Sequence, residues 1–340
     1  MTHIIGVPKE IKAYERRVSL IPREVQKIVE KGFKVYVQKD AGELAGYPDN
    51  DYISCGALIC ETAEEVFSHA NIIVKVKEPL SSEYSLITDK HTIFSFFHFA
   101  SCPELLQAMV ENKATCVAYE TIQVDERYPI LAPMSIIAGQ QAIIQAVKHV
   151  DFNEDDEVSI IGAGNVGQAA AYKAKELGYK CVNLMDKTYD KIAFLQGFNA
   201  YKMTDDNLYH LMKKSKIVVG SIYNTGEKAA KVISDELLDV MQGGSIIMDV
   251  AIDQGGMTEH SVPTTISEPI IMYKNVKLYC VPNIPSQAAN DASQKISEEV
   301  YPYLCMLLDA SNLQDAMEKS PEFTSGVNIM NGIIYHKSLL

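Results

Sequence analysis

The stretch VSIIGAGNVGQAAAYKAKELGYKCVNLMD, residues 158–186, constrains the fold of this 340-residue chain more than any other. It reads as an apolar strand, a turn, an alanine-rich helix and a second apolar strand that ends in Asp186. The turn holds Gly162, Gly164 and Gly167 in the spacing G-x-G-x-x-G. That spacing is weak evidence on its own, because a glycine-rich turn occurs in ordinary α/β proteins. The strand–turn–helix–strand context is what a dinucleotide-binding unit requires. Gly162 permits the tight turn, Gly164 lets a pyrophosphate approach the backbone, and Gly167 lets the helix pack on the sheet. The helix start, at Asn165 and Val166, supplies amide donors. Asp186, about 20 residues on, is placed to accept from a ribose 2′-hydroxyl. A carboxylate there repels the 2′-phosphate of NADP, so NAD is the expected cofactor; Lys187, next in sequence, softens that discrimination.

Strand and helix patterns alternate along nearly the whole chain, which implies mostly parallel sheets. HIIGVP, FKVYVQKD, NIIVKVKEP, HTIFSFFHFA and TCVAYETI read as strands of a first series. IPREVQKIVEKG, TAEEVFSHA and CPELLQAMVENK read as its helices. A long apolar helix, APMSIIAGQQAIIQAVKHV, leads into a second series with strands VSIIGAG, KCVNLMD, SKIVVGS, GSIIMDV and KLYCVPN. The expected architecture is α/β with two doubly wound domains. One, residues 136–287, is a Rossmann NAD-binding domain; the other, residues 1–135 and 288–340, carries substrate and catalysis, with the C-terminal helices packing back on it.

Composition removes several classes. A formal net charge of −13 argues against nucleic acid or an anionic membrane surface as partner. No apolar run approaches a membrane span, and the N-terminus lacks a signal-peptide core. The seven cysteines show neither a CxxC pair nor a disulfide framework. A reduced, cytoplasmic protein without a structural metal is expected.

The ionisable residues of the first series are ambiguous one at a time. Arg17 reads as a solvated loop arginine. Lys75 and Lys77, two apart in a strand, point to one face and read as strand-end lysines that snorkel to water. His98, among Phe94, Phe96, Phe97 and Phe99, reads as core, and Asp253 as a turn former. Together they read differently. Lys77, His98, Asp253 and the glycine loop all fall at C-terminal ends of expected parallel strands, where open α/β sheets bind ligands. A cation to hold a carboxylate, and a histidine and an acid to handle protons, suffice for hydride transfer at a carbon bearing an amine or hydroxyl.

The blocks GVPKEIKAYERRVSLIP, VKVKEP, FSFFHFA, AYETIQ, LAPMSIIAGQQA, IGAGNVG, MDVAIDQGG followed by PTTI, and YCVPNIP occur in that order over nearly the whole chain. In them the sequence resembles the alanine dehydrogenases, which share their fold with the NAD-binding subunit of proton-pumping transhydrogenase. The resemblance implies that Arg17 and Lys77 bind the substrate carboxylate, with Lys75 a bystander. It implies that His98 exchanges the proton at the substrate carbonyl or imine and that Asp253 assists the water and amine steps. Met134, Ser135, Asn283 and the turn at 253–255 would line the nicotinamide, Ser221 would join the cofactor-binding set, and Asp186 and Lys191 would face the adenine ribose. A small amino acid or keto acid is the expected partner, and a homo-oligomer the expected assembly.

The chain also departs from that family. A glycine-rich hairpin usual between the long helix and the phosphate-loop strand is absent, since KHVDFNEDDEVSIIGAG runs straight through. After VPNIP the chain reads SQAANDASQ instead of a Ser/Thr-rich segment, and its tail is shorter. These departures keep two alternatives open. One is an opine-type synthase that joins a keto acid to the amine of ornithine, lysine or another amino acid. The other is a non-catalytic NAD-binding subunit of the transhydrogenase kind.

Overall fold

Strands buried on both faces need helices on both faces, and the apolar runs of this chain resolve into two such sheets. The computed structural model describes residues 3–151, 153–222 and 229–340. The chain divides into two units, Met1–Met134 with Ala288–Leu340, and Ser135–Gln287.

The first unit begins with β1 (Ile4–Val7), α1 (Pro22–Glu30), β2 (Lys34–Gln38), α2 (Asp49–Ser54), β3 (Leu58–Cys60), α3 (Ala63–His69) and β4 (Ile72–Lys77). It continues with β5 (Thr92–Phe96), α4 (Pro103–Glu111) and β6 (Thr115–Ala118), and α5 (Leu131–Ala146) leads out of it. The second unit holds β7 (Glu157–Ile161), α6 (Asn165–Glu176), β8 (Cys181–Asp186), β9 (Asn199–Lys202), α7 (Asp205–Lys214) and β10 (Ser215–Gly220). After these come α8 (Asp235–Asp239), β11 (Ile246–Asp249), β12 (Ile270–Tyr273) and β13 (Val276–Tyr279). The chain then returns to the first unit with α9 (Ala289–Leu308), α10 (Leu313–Lys319), α11 (Pro321–Gly326), β14 (Val327–Met330) and β15 (Ile333–Ile334).

Among the described residues the first sheet has the order β15-β14-β6-β5-β4-β1-β2-β3 and the second β12-β13-β11-β10-β7-β8-β9. Pairing is parallel except at β14, β15 and β12. In each sheet the first strand lies inside, with the next strand on one side and a later one on the other. That reversal opens a crevice at the strand C-termini, between β1 and β4 in one sheet and between β7 and β10 in the other. In the second sheet successive residues alternate between two cores. Val158, Ile160, Leu184 and Val219 face one, while Ile161, Met185 and Val218 face the other.

The C-terminal helix α9 does pack on the first unit, and buried serines make the join. Ser293 Oγ accepts from Val18 N at 2.9 Å, and Ser297 Oγ accepts from Ile21 N at 3.0 Å. Ile21 precedes α1 and has no capping side chain of its own, so Ser297 meets a need the local sequence leaves unmet. What reads as a short tail is more: β14 adds to the sheet antiparallel to β6. No helix among the described residues is long and apolar enough to cross a membrane.

Candidate active site

At the end of β4 the lysines part company. Strand pairing with β5 runs Val74↔Phe94 and then Lys77↔Phe96, a register shift that breaks the simple alternation. Lys75 is 1% exposed and does not snorkel to water. Its Nζ lies 2.8 Å from Glu83 Oε1 and 3.6 Å from Glu10 Oε2. Burial works against its charge, but the carboxylates of Glu10 and Glu83 more than reverse this and hold the ammonium above the ordinary lysine value. The reading of Lys75 as a solvated bystander is therefore wrong. It is a buried structural cation, and period-two alternation could not reveal the acids that meet it.

Lys77 is half-buried, and among the described residues its Nζ makes no hydrogen bond or ion pair. Burial pulls its pKa below the ordinary value, and the nearby charges of Arg17 and Lys12 add to the fall. An incoming anion would relieve all three. Arg17 is not a solvated loop residue either, being 3% exposed. Its Nε and Nη2 donate to the Glu15 carboxylate at 2.7 and 2.6 Å, and its Nη1 donates to Met134 Sδ at 3.4 Å. Glu15 thus neutralises much of the arginine, and Lys77 is the less compensated of the two cations.

His98 follows β5, the neighbour of β4, and it is exposed rather than core. Its backbone sits at φ 51°, ψ 41°, the left-handed region that non-glycine residues rarely enter. Glu120, just past β6, holds it there, accepting from His98 N at 2.6 Å and from Phe97 N at 3.2 Å. The imidazole lies parallel to the Phe96 ring with centroids 6.0 Å apart. The aromatic run around His98 builds the wall behind it and leaves the ring in solvent.

In the second unit the glycine loop fits a pyrophosphate. Gly162 has φ +96°, and a Cβ on Gly167 would stand 1.9 Å from Gly162 O, so neither position accepts a side chain. A Cβ on Gly164 would meet nothing within 4 Å, which leaves open space at the start of α6. Among described residues no side chain caps that helix, so a ligand anion is free to take its first amides. Ser221, after β10, supports the loop by donating to Gly162 O at 2.8 Å. Asp186 ends β8 as expected, but both its oxygens already accept from backbone, Oδ2 from Ala163 N and Oδ1 from Thr188 N, each at 2.8 Å. It anchors the loop as well as presenting remaining lone pairs. Asn165, Lys187 and Lys191 are exposed, while Val166 and Ser135 are half-buried.

Asp253 is exposed in a short 3-10 turn after β11, followed by Gly255 and Gly256 at φ +100° and +79°. Asp249, which sequence reasoning passed over, carries that turn from beneath. Its buried carboxylate accepts from Met257 N at 2.7 Å and Ser261 Oγ at 2.5 Å. Burial raises its pKa, and those two donors oppose the rise. Lys231 Nζ ties the same turn by donating to Gly255 O and Thr258 O. Asn283, after β13, adopts φ 55°, a second left-handed non-glycine among the candidate residues. The acids missed by sequence, Glu10, Glu15, Glu120 and Asp249, all lie inside the blocks quoted above. Their signal was there, but only tertiary contacts give each a partner.

Residues 6–138 match the profile described as the alanine dehydrogenase/PNT N-terminal domain, and residues 136–337 match that of the C-terminal domain. The chain is 36% identical to the alanine dehydrogenase of Methanococcus maripaludis over 99% of its own length and 95% of the relative's. A solved L-alanine dehydrogenase superposes with a TM-score of 0.92 at 30% identity, covering 98% of this chain and 97% of that one. A transhydrogenase from Sinorhizobium meliloti shares the fold, with a TM-score of 0.86 at 22% identity over 99% of this chain and 100% of that one.

Proposed function

The chain belongs to the alanine dehydrogenase/PNT family, and from that membership we propose that it interconverts L-alanine, water and NAD with pyruvate, ammonium and NADH. The observation that carries this reading is Lys77, a half-buried cation without an ionic partner among the described residues, on the strand next to the one that presents an exposed His98. Lys77, with Arg17 beside it, binds the substrate carboxylate and orients the amine-bearing carbon. His98 takes a proton from the attacking water or returns one to the substrate oxygen. Asp253 assists the water and amine steps from its glycine-flanked turn. The glycine loop, Asp186 and Ser221 hold NAD, with Met134, Ser135 and Asn283 on its nicotinamide side and Lys191 toward its ribose. When bound, NAD supplies the hydride acceptor. A cytoplasmic homo-oligomer completes the reading; the free thiols of all seven cysteines support a reducing compartment, and light scattering tests the assembly.

The discriminating assay is NADH oxidation with pyruvate. Turnover with ammonium alone is the expected result. Turnover only when ornithine, lysine or another amino acid replaces ammonium would make the chain an opine-type synthase, and none with any amine would leave a nucleotide-binding role.

Further expected results probe the two ligand sites. Lys77→Ala should lower kcat/KM for pyruvate by about 10- to 200-fold, the value of a desolvated charge-assisted contact. NADH affinity measured by fluorescence should not move; an unchanged kcat/KM would remove Lys77 from the site. Asp186→Ser should narrow the preference for NAD over NADP and weaken NADH binding by about tenfold, because the Ala163 amide loses its acceptor too. Equal use of both cofactors by the unmutated chain would overturn the assignment, with Lys187 then the residue to change next.

A further inference from the structure

The backbone hydrogen bonds at the end of β4 point to a residue with no role so far. β1 pairs with β4 only at Ile5↔Ile72 and Gly6↔Ile73. Beyond Ile73 the chain of β1 turns away, and the amides of Val76 and Lys77 face a side with no strand. Buried amides must find an acceptor. Here a side chain supplies it: Glu10 Oε1 accepts from Val76 N at 2.6 Å, and Oε2 accepts from Lys77 N at 3.4 Å. Glu10 belongs to the loop after β1 that also carries Glu15 and Arg17.

We propose that Glu10 is the positioning residue for Lys77: its carboxylate replaces the absent strand at the bulged end of β4 and ties that end to the loop bearing Arg17. The two cations assigned to the substrate carboxylate sit on separate segments, and Glu10 sets their spacing. This rests on the reading of Lys77 as a carboxylate-binding group. The Glu10 side chain is 5% exposed. The charged and titratable groups that face it are Lys75 of β4, Glu83 after β4, Glu15 of its own loop and the phenol of Tyr119 after β6. Its carboxyl is raised to about 7: burial pushes it up most, Lys75 opposes the rise, and Glu15 and Glu83 add to it. Protonation would cost it the charge that strengthens its hold on the two amides.

Glu10→Gln keeps the volume and one acceptor and so mimics the protonated side chain. In the full-length enzyme it should raise KM for pyruvate about fivefold, the difference between charge-assisted and neutral hydrogen bonds. Its kcat should stay essentially unchanged, because losing binding shared by ground and transition states raises KM alone, and NADH binding should not change. The wild-type KM should climb toward the variant's as pH falls through about 7, while the variant's stays flat over that limb. Hydrogen exchange at Val76 and Lys77 should be faster in the variant. A folded Glu10→Gln protein with wild-type KM, or with wild-type exchange at these amides, would overturn the proposal. If the variant does not fold, wild-type exchange at the same amides, corrected for intrinsic rate, decides: opening between pH 8 and pH 6 supports the clamp, and a flat response overturns it. An enzyme inactive with pyruvate would sink the activity reading, and the clamp would then stand or fall on exchange alone.

Discussion

Replacing His98 by asparagine or alanine should lower kcat by about 10²–10⁴-fold, the usual loss when a general acid/base is removed. The argument joins backbone and side chain. His98 holds a left-handed conformation, φ 51°, which costs an L-residue about 1–2 kcal/mol. The fold sustains that cost through the Glu120 carboxylate on the His98 and Phe97 amides, and through Ser101, whose N and Oγ both donate to His98 O. The ring it presents is exposed and so contributes little to the core. Asparagine tolerates the same backbone and cannot transfer the proton, so His98→Asn separates chemistry from strain. Its melting temperature and NADH affinity should match wild type. Glycine at this position should be as stable or more so, and equally inactive. A His98→Asn enzyme that keeps kcat within a few-fold would remove the proton-transfer role altogether.

Lys75→Ala should destabilise the protein by about 3–5 kcal/mol at pH 8, the loss seen when one partner of a buried ion pair is deleted. It leaves the Glu10 and Glu83 carboxylates buried with their common cation gone. The pH dependence follows from Glu10. Its carboxyl titrates at about 7 in the folded chain, above its unfolded value. A group raised in this way contributes stability that is fully present below its unfolded pKa and lost as pH rises through the folded one. Without Lys75 the folded pKa of Glu10 rises further, so the variant's deficit should be largest at pH 8 and shrink toward pH 5.5, where Glu10 is protonated. Urea unfolding at the two pH values measures this directly. A deficit below about 1 kcal/mol at pH 8, as at a surface site, would return Lys75 to the solvent-facing role that its sequence position suggests.

Much of this protein was determined by sequence alone. Apolar runs of period two and 3.6, closed by glycines such as Gly32 and Gly178, mark the long helices and the central strands of both sheets. These signals are local and strong. The glycine loop was legible for the same reason: its turn, its close approach and its helix start are consecutive residues, so spacing encodes them. Other elements needed the tertiary structure. β3 and β9 are three and four residues long and partly exposed, so they carry almost no periodic signal. The strand β12, antiparallel to β13, and the returning β14 gain their identity from the strands they pair with. The charged residues divide in the same way. Sequence placed Lys77, His98 and Asp253 at strand ends, but it read Arg17 as a solvated loop residue, Lys75 as idle and His98, taken alone, as core. A side chain's protonation and burial depend on partners distant in sequence: Glu10 and Glu83 for Lys75, Glu120 for the backbone of His98, Ser293 and Ser297 for the loop around Arg17. Electrostatic energy in a low-dielectric interior depends on distances through space, so only the folded chain decides which cation is structural and which is left to meet a ligand.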